Sequence, residues 1–297
     1  MSLVSRYLDP AVIERLNQLQ LSARSVVEGN TTGLHKSPVK GASIEFRQHR
    51  FYVPGDEPRR LDWRVLARTN KPFIKEYDEE TNLRCVLMLD SSGSMAYGDR
   101  AGTKFDYAAR MAASLAYLML GQTESVGLAA YTTKLDTFIA PHGGHAQLTR
   151  IIDALERISP RQESSVNRAM HDVTDRVSRR ALMVILSDFF TPVTRIREGL
   201  ARLRHDRHEV IAMQILHRHE VDFPFRSWSR FKGLEGERAQ LCETALVRKT
   251  YLENFRRHRR ALEESCRVLG VEFASFVTDD PLIESMTSFL RRRRTVG

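Results

Sequence analysis

One segment constrains this chain more than any other: Leu83–Leu89, an apolar run of strand length that ends on Asp90. A strand of that kind must be covered on both faces, as happens when helices pack above and below a parallel sheet. A second run, Ala181–Leu186, ends in the same way on Ser187 and Asp188. Helical spacing fills the intervals. In Lys104–Leu120 the residues Phe105, Ala108, Met111, Ala112, Leu115 and Met119 fall on one stripe, and Gly121 stops it. Further helices are expected over Ala146–Ile158, Val166–Val177 and Ile196–Leu203, with a strand at Val210–Leu216. Val126–Tyr131 and Leu135–Ala140, joined by a short turn, predict a hairpin. The chain closes with an arginine-rich helix (Thr250–Leu269), a strand (Val271–Val277) and a helix (Pro281–Leu290). Strands alternating with helices predict an α/β fold, a mostly parallel Rossmann-like sheet with helices on both faces.

Two segments depart from that alternation. Residues 1–30 open with a helix, with Asp9 as N-cap, Pro10 in the first turn, and Ile13, Leu16, Leu19, Ala23 and Val26 at helical spacing. Residues 31–81 form a β-rich extension, with short strands expected at Phe51–Val53, Leu61–Leu66 and Phe73–Tyr77. Its Pro54–Arg68 stretch reads as a tight turn held by Asp–Arg pairs and an anchored Trp63. The α/β domain then spans 82–297, interrupted at 217–248 by an inserted hairpin, Trp228–Leu234 against Gln240–Val247.

The chemistry lies where the two buried strands end, because ligands of open α/β sheets bind beyond the carboxyl ends of the strands. In Asp90-Ser91-Ser92-Gly93-Ser94 a carboxylate and two hydroxyls alternate around a turn, so Asp90, Ser92 and Ser94 can converge. Asp188 brings a second carboxylate to the same edge. The loop Glu163-Ser164-Ser165, before the helix at Val166, offers a hydroxyl from Ser164, with Ser165 as a rival. Oxygen donors of this kind suit a hard divalent cation, Mg²⁺ or alternatively Mn²⁺ or Ca²⁺.

These residues resemble the metal-ion-dependent adhesion site of a von Willebrand factor A domain, over about residues 84–216. The flanks resemble a bacterial family catalogued as domain of unknown function 58. Its signature is similar to Tyr52-x-Pro54-Gly55-Asp56-x-x-Arg59-x-Leu61-Asp62-Trp63, followed by Ala67-Arg68 and Lys75-Glu76. The resemblance implies that Asp90, Ser92, Ser94 and Asp188 hold the metal directly or through water. Ser164 stands where the family usually has threonine after glycine. It also implies an open coordination position filled by a partner's carboxylate, and partnership with a MoxR-type AAA+ ATPase or its substrate as an adaptor.

Composition narrows the remaining classes. The net charge is +9, with arginine runs at Arg256–Arg260 and Arg291–Arg294. These read first as solvated helix faces, and no aromatic residues interleave them for base stacking. An RNA- or polyanion-binding protein is therefore the alternative function rather than the leading one. Three scattered cysteines and an amino terminus without an apolar signal core point to a cytoplasmic protein, and no run is long enough to span a membrane. The histidines lack zinc-site spacing, no phosphate loop is present, and nothing marks a base for Ser92 or Ser94. The expectation is a binding module, not an enzyme.

Overall fold

The computed structural model describes residues 6–8, 10, 12–17, 44–53, 56, 61–79, 83–161, 165–235 and 239–296. The chain forms two compact units, one of residues 30–82 and one that joins residues 1–29 to 83–297.

In the smaller unit, β1 (Ile44–Phe51) pairs antiparallel with β2 (Phe73–Glu79), and the Phe51 and Phe73 rings lie 4.5 Å apart. Between them runs α1 (Trp63–Thr69), where a strand was expected at Leu61–Leu66. Only Leu61 bridges to Ile74. Local capping explains the difference. Asp62 accepts hydrogen bonds from the backbone N–H groups of Arg64 and Val65, and Asn70 ends the helix in the left-handed region. Asp56 holds the turn before it, accepting from Val53 N–H (2.8 Å) and from the Arg50 guanidinium (2.9 Å). Trp63 is 64% exposed and so is not the anchor expected of it. Pro54, Gly55 and residues 57–60 lie outside the described residues.

The larger unit is built on six strands: β3 (Arg84–Asp90), β4 (Ser125–Tyr131), β5 (Leu135–His142), β6 (Leu182–Ser187), β7 (Glu209–Leu216) and β10 (Glu272–Val277). They lie in the order β10-β7-β6-β3-β4-β5, parallel except for β5, which closes the expected hairpin with β4. Alternate residues of β3 face opposite ways. Cys85, Leu87 and Leu89 pack on one side with α2 (Lys104–Leu120), α3 (His145–Arg157) and α8 (Leu282–Val296). Val86 and Met88 pack on the other with α4 (Val166–Arg176), α5 (Val193–His205) and the long α7 (Thr244–Val268). Both faces are buried, as the apolar run required.

The amino-terminal helix is seen at residues 12–17, and the rest of the segment expected as helix, up to Val26, lies outside the described residues. Leu8 and Leu16 are fully buried, and Asn17 accepts from the Tyr117 hydroxyl on α2 (2.6 Å). The inserted hairpin is present but short, β8 (Trp228–Phe231) against β9 (Gln240–Glu243). The following helix begins at Thr244 rather than Thr250, because Thr244 is buried and its hydroxyl donates to Ser227 O (2.8 Å). Arg256, Arg257 and Arg260 are exposed along it.

Glu124, at the head of β4, has its carboxyl pushed up to about 7 by burial, with Arg293 only partly opposing. In the unfolded chain it ionises near the ordinary 4.5. Between these values the native state binds more protons, so stability falls as pH rises and the loss is complete above about 7. Glu124→Gln should therefore match the parent in urea at pH 4.5 and exceed it by about 1 kcal/mol at pH 8, a figure reduced for partial exposure. Equal stability at both pH values would contradict this account.

Candidate metal centre

The carboxyl ends of β3, β6 and β7 meet at one edge of the sheet. Parallel pairing places Asp90 opposite Tyr131 on β4, Leu89 opposite Leu186 on β6, and Ser187 opposite Gln214 on β7. Sequence spacing alone therefore brings Asp90 and Asp188 to the same rim, and both are buried.

Asp90 is held from two sides. Its Oδ1 accepts from Ser92 N–H (2.9 Å), and its Oδ2 accepts from the Ser187 hydroxyl (2.6 Å). Ser187 in turn accepts from Phe189 N–H (2.9 Å). Beyond Asp90 the chain makes one 3-10 turn, Gly93–Ala96, which places the hydroxyl oxygens of Ser92 and Ser94 3.1 Å apart. The Ser91 side chain turns away and donates to Tyr131 O. Asp90, Ser92 and Ser94 thus come together as the alternation required. Ser164 and Glu163 lie outside the described residues. Ser165 is described, and its N–H donates to Thr132 O (2.9 Å), just past the end of β4.

Asp188 is in an ion cluster that the sequence reading missed. Its Oδ2 accepts from Lys104 Nζ (2.7 Å), and the same ammonium donates to Glu220 Oε1 (2.6 Å). Asp188 Oδ1 accepts from Phe190 N–H, and the Phe190 ring covers the ammonium with its centroid 4.9 Å away. Lys104 is fully buried. It is aimed by the Thr103–Asp106 capping box at the start of α2, and Glu220 by a box with His217 at the start of the short α6 (Arg218–Asp222). A signal existed: position 104 continues the apolar stripe of Ala108, Met111 and Leu115, so a lysine there had to be buried and paired.

The electrostatics follow from burial. It works against the Lys104 charge, yet Asp188 and Glu220 outweigh it and hold the ammonium above its ordinary pKa. Burial pushes the Glu220 carboxyl up, with Lys104 only partly opposing. Burial, and next the Asp188 charge, push Asp90 up to about 6 against its hydrogen bonds from Ser187 and Ser92.

The donor set fits a divalent cation on charge and on oxygen chemistry. When ionised, Asp90, Asp188 and Glu220 carry three negative charges against the single positive charge of Lys104, an excess that one divalent ion balances. Two buried polar atoms at the same edge, the Tyr131 hydroxyl and Gln214 Oε1, have no hydrogen-bond partner among the described residues. Tyr131 lies by Ser187, but that hydroxyl is already committed to Asp90 and Phe189. Among the described residues no three His, Cys, Asp or Glu side chains gather as a ligand group, so a cation here depends on the hydroxyls of Ser92 and Ser94.

Beside this edge is a cavity of about 380 Å³, walled by Tyr97, His219, Glu220, Phe223 and Tyr251. Glu220 belongs to both places. The Tyr97 hydroxyl lies 3.3 Å from His219 Nδ1, and the Phe223 and Tyr251 rings are 4.7 Å apart.

Comparison with known proteins agrees with this architecture. A family model described as protein of unknown function DUF58 matches residues 48–261. Uncharacterized proteins of Mycobacterium bovis and Mycobacterium tuberculosis are 26% identical over 291 residues, covering 96% of this chain and 91% of theirs. A crystal structure of an aerotolerance-related membrane protein from Bacteroides fragilis superposes with a TM-score of 0.50 at 12% identity, covering 71% of this chain and 97% of that one. At that identity the likeness concerns the fold alone. BatB from Bacteroides thetaiotaomicron (11% identity, 72% and 99% covered) gives a TM-score of 0.48, and the SpRpn10 VWA domain (10% identity, 70% and 94% covered) gives 0.41.

Removing one partner of a buried ion pair leaves the others uncompensated. Lys104→Met should lower stability by about 3 kcal/mol or more in urea titration, and adding Asp188→Asn should recover part of the loss. A Lys104→Met protein as stable as the parent would mean that the cluster contributes nothing to the fold.

Proposed function

The chain belongs to the DUF58 family and has a von Willebrand factor A-type α/β fold, and from that footing we propose that it is a metal-dependent protein-interaction module. The observation that carries this reading is the convergence of the Ser92 and Ser94 hydroxyls, 3.1 Å apart, just beyond the buried Asp90 carboxylate. Asp90, Ser92 and Ser94 would hold a divalent cation, Mg²⁺ foremost, with Asp188 and the hydroxyl of Ser164 or Ser165 completing the set. Bound there, the cation would offer an open coordination position to the carboxylate of an acidic residue on a partner. A polar turn of no function would not require Asp90 to be buried at an edge with excess negative charge.

The chain's own residues prepare that contact. Ser187 orients Asp90, and the Asp188 carboxylate is fixed by Lys104 and by Phe190 N–H. A preformed rim of this kind binds with little reorganisation, which suits clasping. Asp90 and Asp188 are each committed to hydrogen bonds within the chain, which suits holding an ion more than activating water and favours a binding role. The partner class is an acidic protein, and the family resemblance directs the first trial to a MoxR-type AAA+ ATPase, with this chain as its adaptor. No helix among the described residues is long and apolar enough to cross a membrane, and a cytoplasmic adaptor remains the working placement.

Calorimetric titration with Mg²⁺ or Mn²⁺ should show binding that Asp90→Asn abolishes. Ser187→Ala, which removes only the orienting hydrogen bond, should weaken it about tenfold. A co-expressed MoxR-type ATPase should be captured in Mg²⁺ and released by chelator. Capture that is equally effective in excess EDTA, or no heat from the wild-type protein at millimolar Mg²⁺, overturns the reading.

A further inference from the structure

The cavity beside the cation edge is assembled from segments far apart in the chain. Tyr97 follows the 3-10 turn, His219 and Glu220 belong to α6, Phe223 and Phe225 come after it, and Tyr251 stands on α7. The β8–β9 hairpin adds one of its faces. Phe231 and Gln240 are cross-strand partners and line the cavity with Cys242, whereas Trp228 and Leu241, out of phase with them, are exposed. Six rings meet there, and neighbours stand steeply to one another: Tyr97 and His219 at 69°, His219 and Phe225 at 71°, Phe225 and Phe231 at 87°. Rings that formed only a core would close together, since protein interiors leave few voids larger than a water molecule. These leave about 380 Å³, enough for a small organic group.

Charge decides the class of occupant. Glu220 stands in the wall as a carboxylate, its Oε1 accepting from Lys104 Nζ (2.6 Å) and its Oε2 from His217 N–H (2.8 Å). Lys104 is shared with Asp188, so the two carboxylates keep one negative charge in excess. No lysine or arginine is among the described residues of the wall, and Arg248 spends its guanidinium on the backbone carbonyls of Asp222 and Phe223. Burial, and next the Glu220 charge, hold the Tyr97 and Tyr251 hydroxyls above their ordinary pKa, so its field is felt in the walls. An anion is repelled there, whereas a cation meets both that field and the negative faces of the rings. Each Glu220 oxygen already accepts a hydrogen bond, which favours a cation with no N–H to satisfy. We infer that this cavity binds a quaternary ammonium group, its positive charge set among the aromatic rings and beside Glu220. The same chemistry occurs in a free choline-like molecule and in a trimethylated lysine side chain. The inference goes beyond the metal-dependent reading and does not use it.

Choline and its uncharged carbon analogue 3,3-dimethylbutanol share a shape and differ in charge. Titrated by calorimetry into the full chain in EDTA, so that Mg²⁺ plays no part, choline should bind in the millimolar range or better. The alcohol should bind at least about tenfold more weakly. Tyr251→Leu should weaken choline by about tenfold. Tyr251→Phe keeps the ring, loses only the hydrogen bond to Glu220 O, and should leave the affinity unchanged. Phe225→Leu repeats the test if Tyr251→Leu does not fold. N-acetyl-trimethyllysine amide separates the two sources: tighter binding than choline assigns a protein side chain, and weaker binding a free molecule. Equal affinity for choline and the alcohol makes the cavity a plain apolar pocket and overturns the inference. So does an absence of heat from choline at about 10 mM.

Discussion

A fully buried ammonium is unfavourable by several kcal/mol unless its charge is met and its protons are used. Lys104 satisfies both conditions through Asp188 and Glu220, with the Phe190 ring over the remaining face. Three elements distant in sequence are fixed by that one group: the start of α2, the end of β6 and the short α6. The candidate cation edge inherits its geometry from this cluster, because Asp188 cannot swing away without leaving Lys104 uncompensated. Glu220 extends the same constraint into the aromatic cavity, where it stands beside Tyr97 and Tyr251.

The alternation of buried strands and amphipathic helices was legible because burial on both sheet faces forces apolar runs, and helices facing a core force stripes. Lys104–Leu120 was placed on that basis, and the β4–β5 hairpin by the short turn that joins its strands. Leu61–Leu66 was misread because short apolar segments carry no decisive period, and the Asp62 cap decided the matter locally. Strand context was enough to place Asp90, Ser92, Ser94 and Asp188 at one edge of the sheet, where the fold has them. Lys104 was not placed there, although its position on the apolar stripe marked it. The hydrogen bond from Ser94 N–H to Glu235 was not legible either, since it depends on how an inserted hairpin folds back.

The chain belongs to the DUF58 family, and its six-stranded sheet, covered on both faces, fixes the edge where Asp90 ends its strand. The hairpin β8–β9 and the helix α7 follow one another in the chain, and both contribute to the cavity wall, through Phe231 and Cys242 of the hairpin and Tyr251 of the helix. His258 on that helix donates from Nε2 to Phe189 O (2.9 Å), and Phe189 lies in the chain between Asp188, which pairs with Lys104, and Phe190, whose ring covers it.

The strand order has a kinetic meaning. β3 is flanked by β4 and by β6, so one of its neighbours comes from nearly a hundred residues further along the chain. Within the six-stranded sheet only β4 and β5 pair through a short loop, and that hairpin contains neither Asp90 nor Asp188. Parallel pairings between distant segments are slow to form, because the closure entropy of long loops is lost before any contact compensates for it. Asp90, Lys104, Asp188 and Glu220 can therefore meet only when β3, β6 and β7 are all in register, and the appearance of their ion cluster marks the completion of the molecule rather than its nucleation.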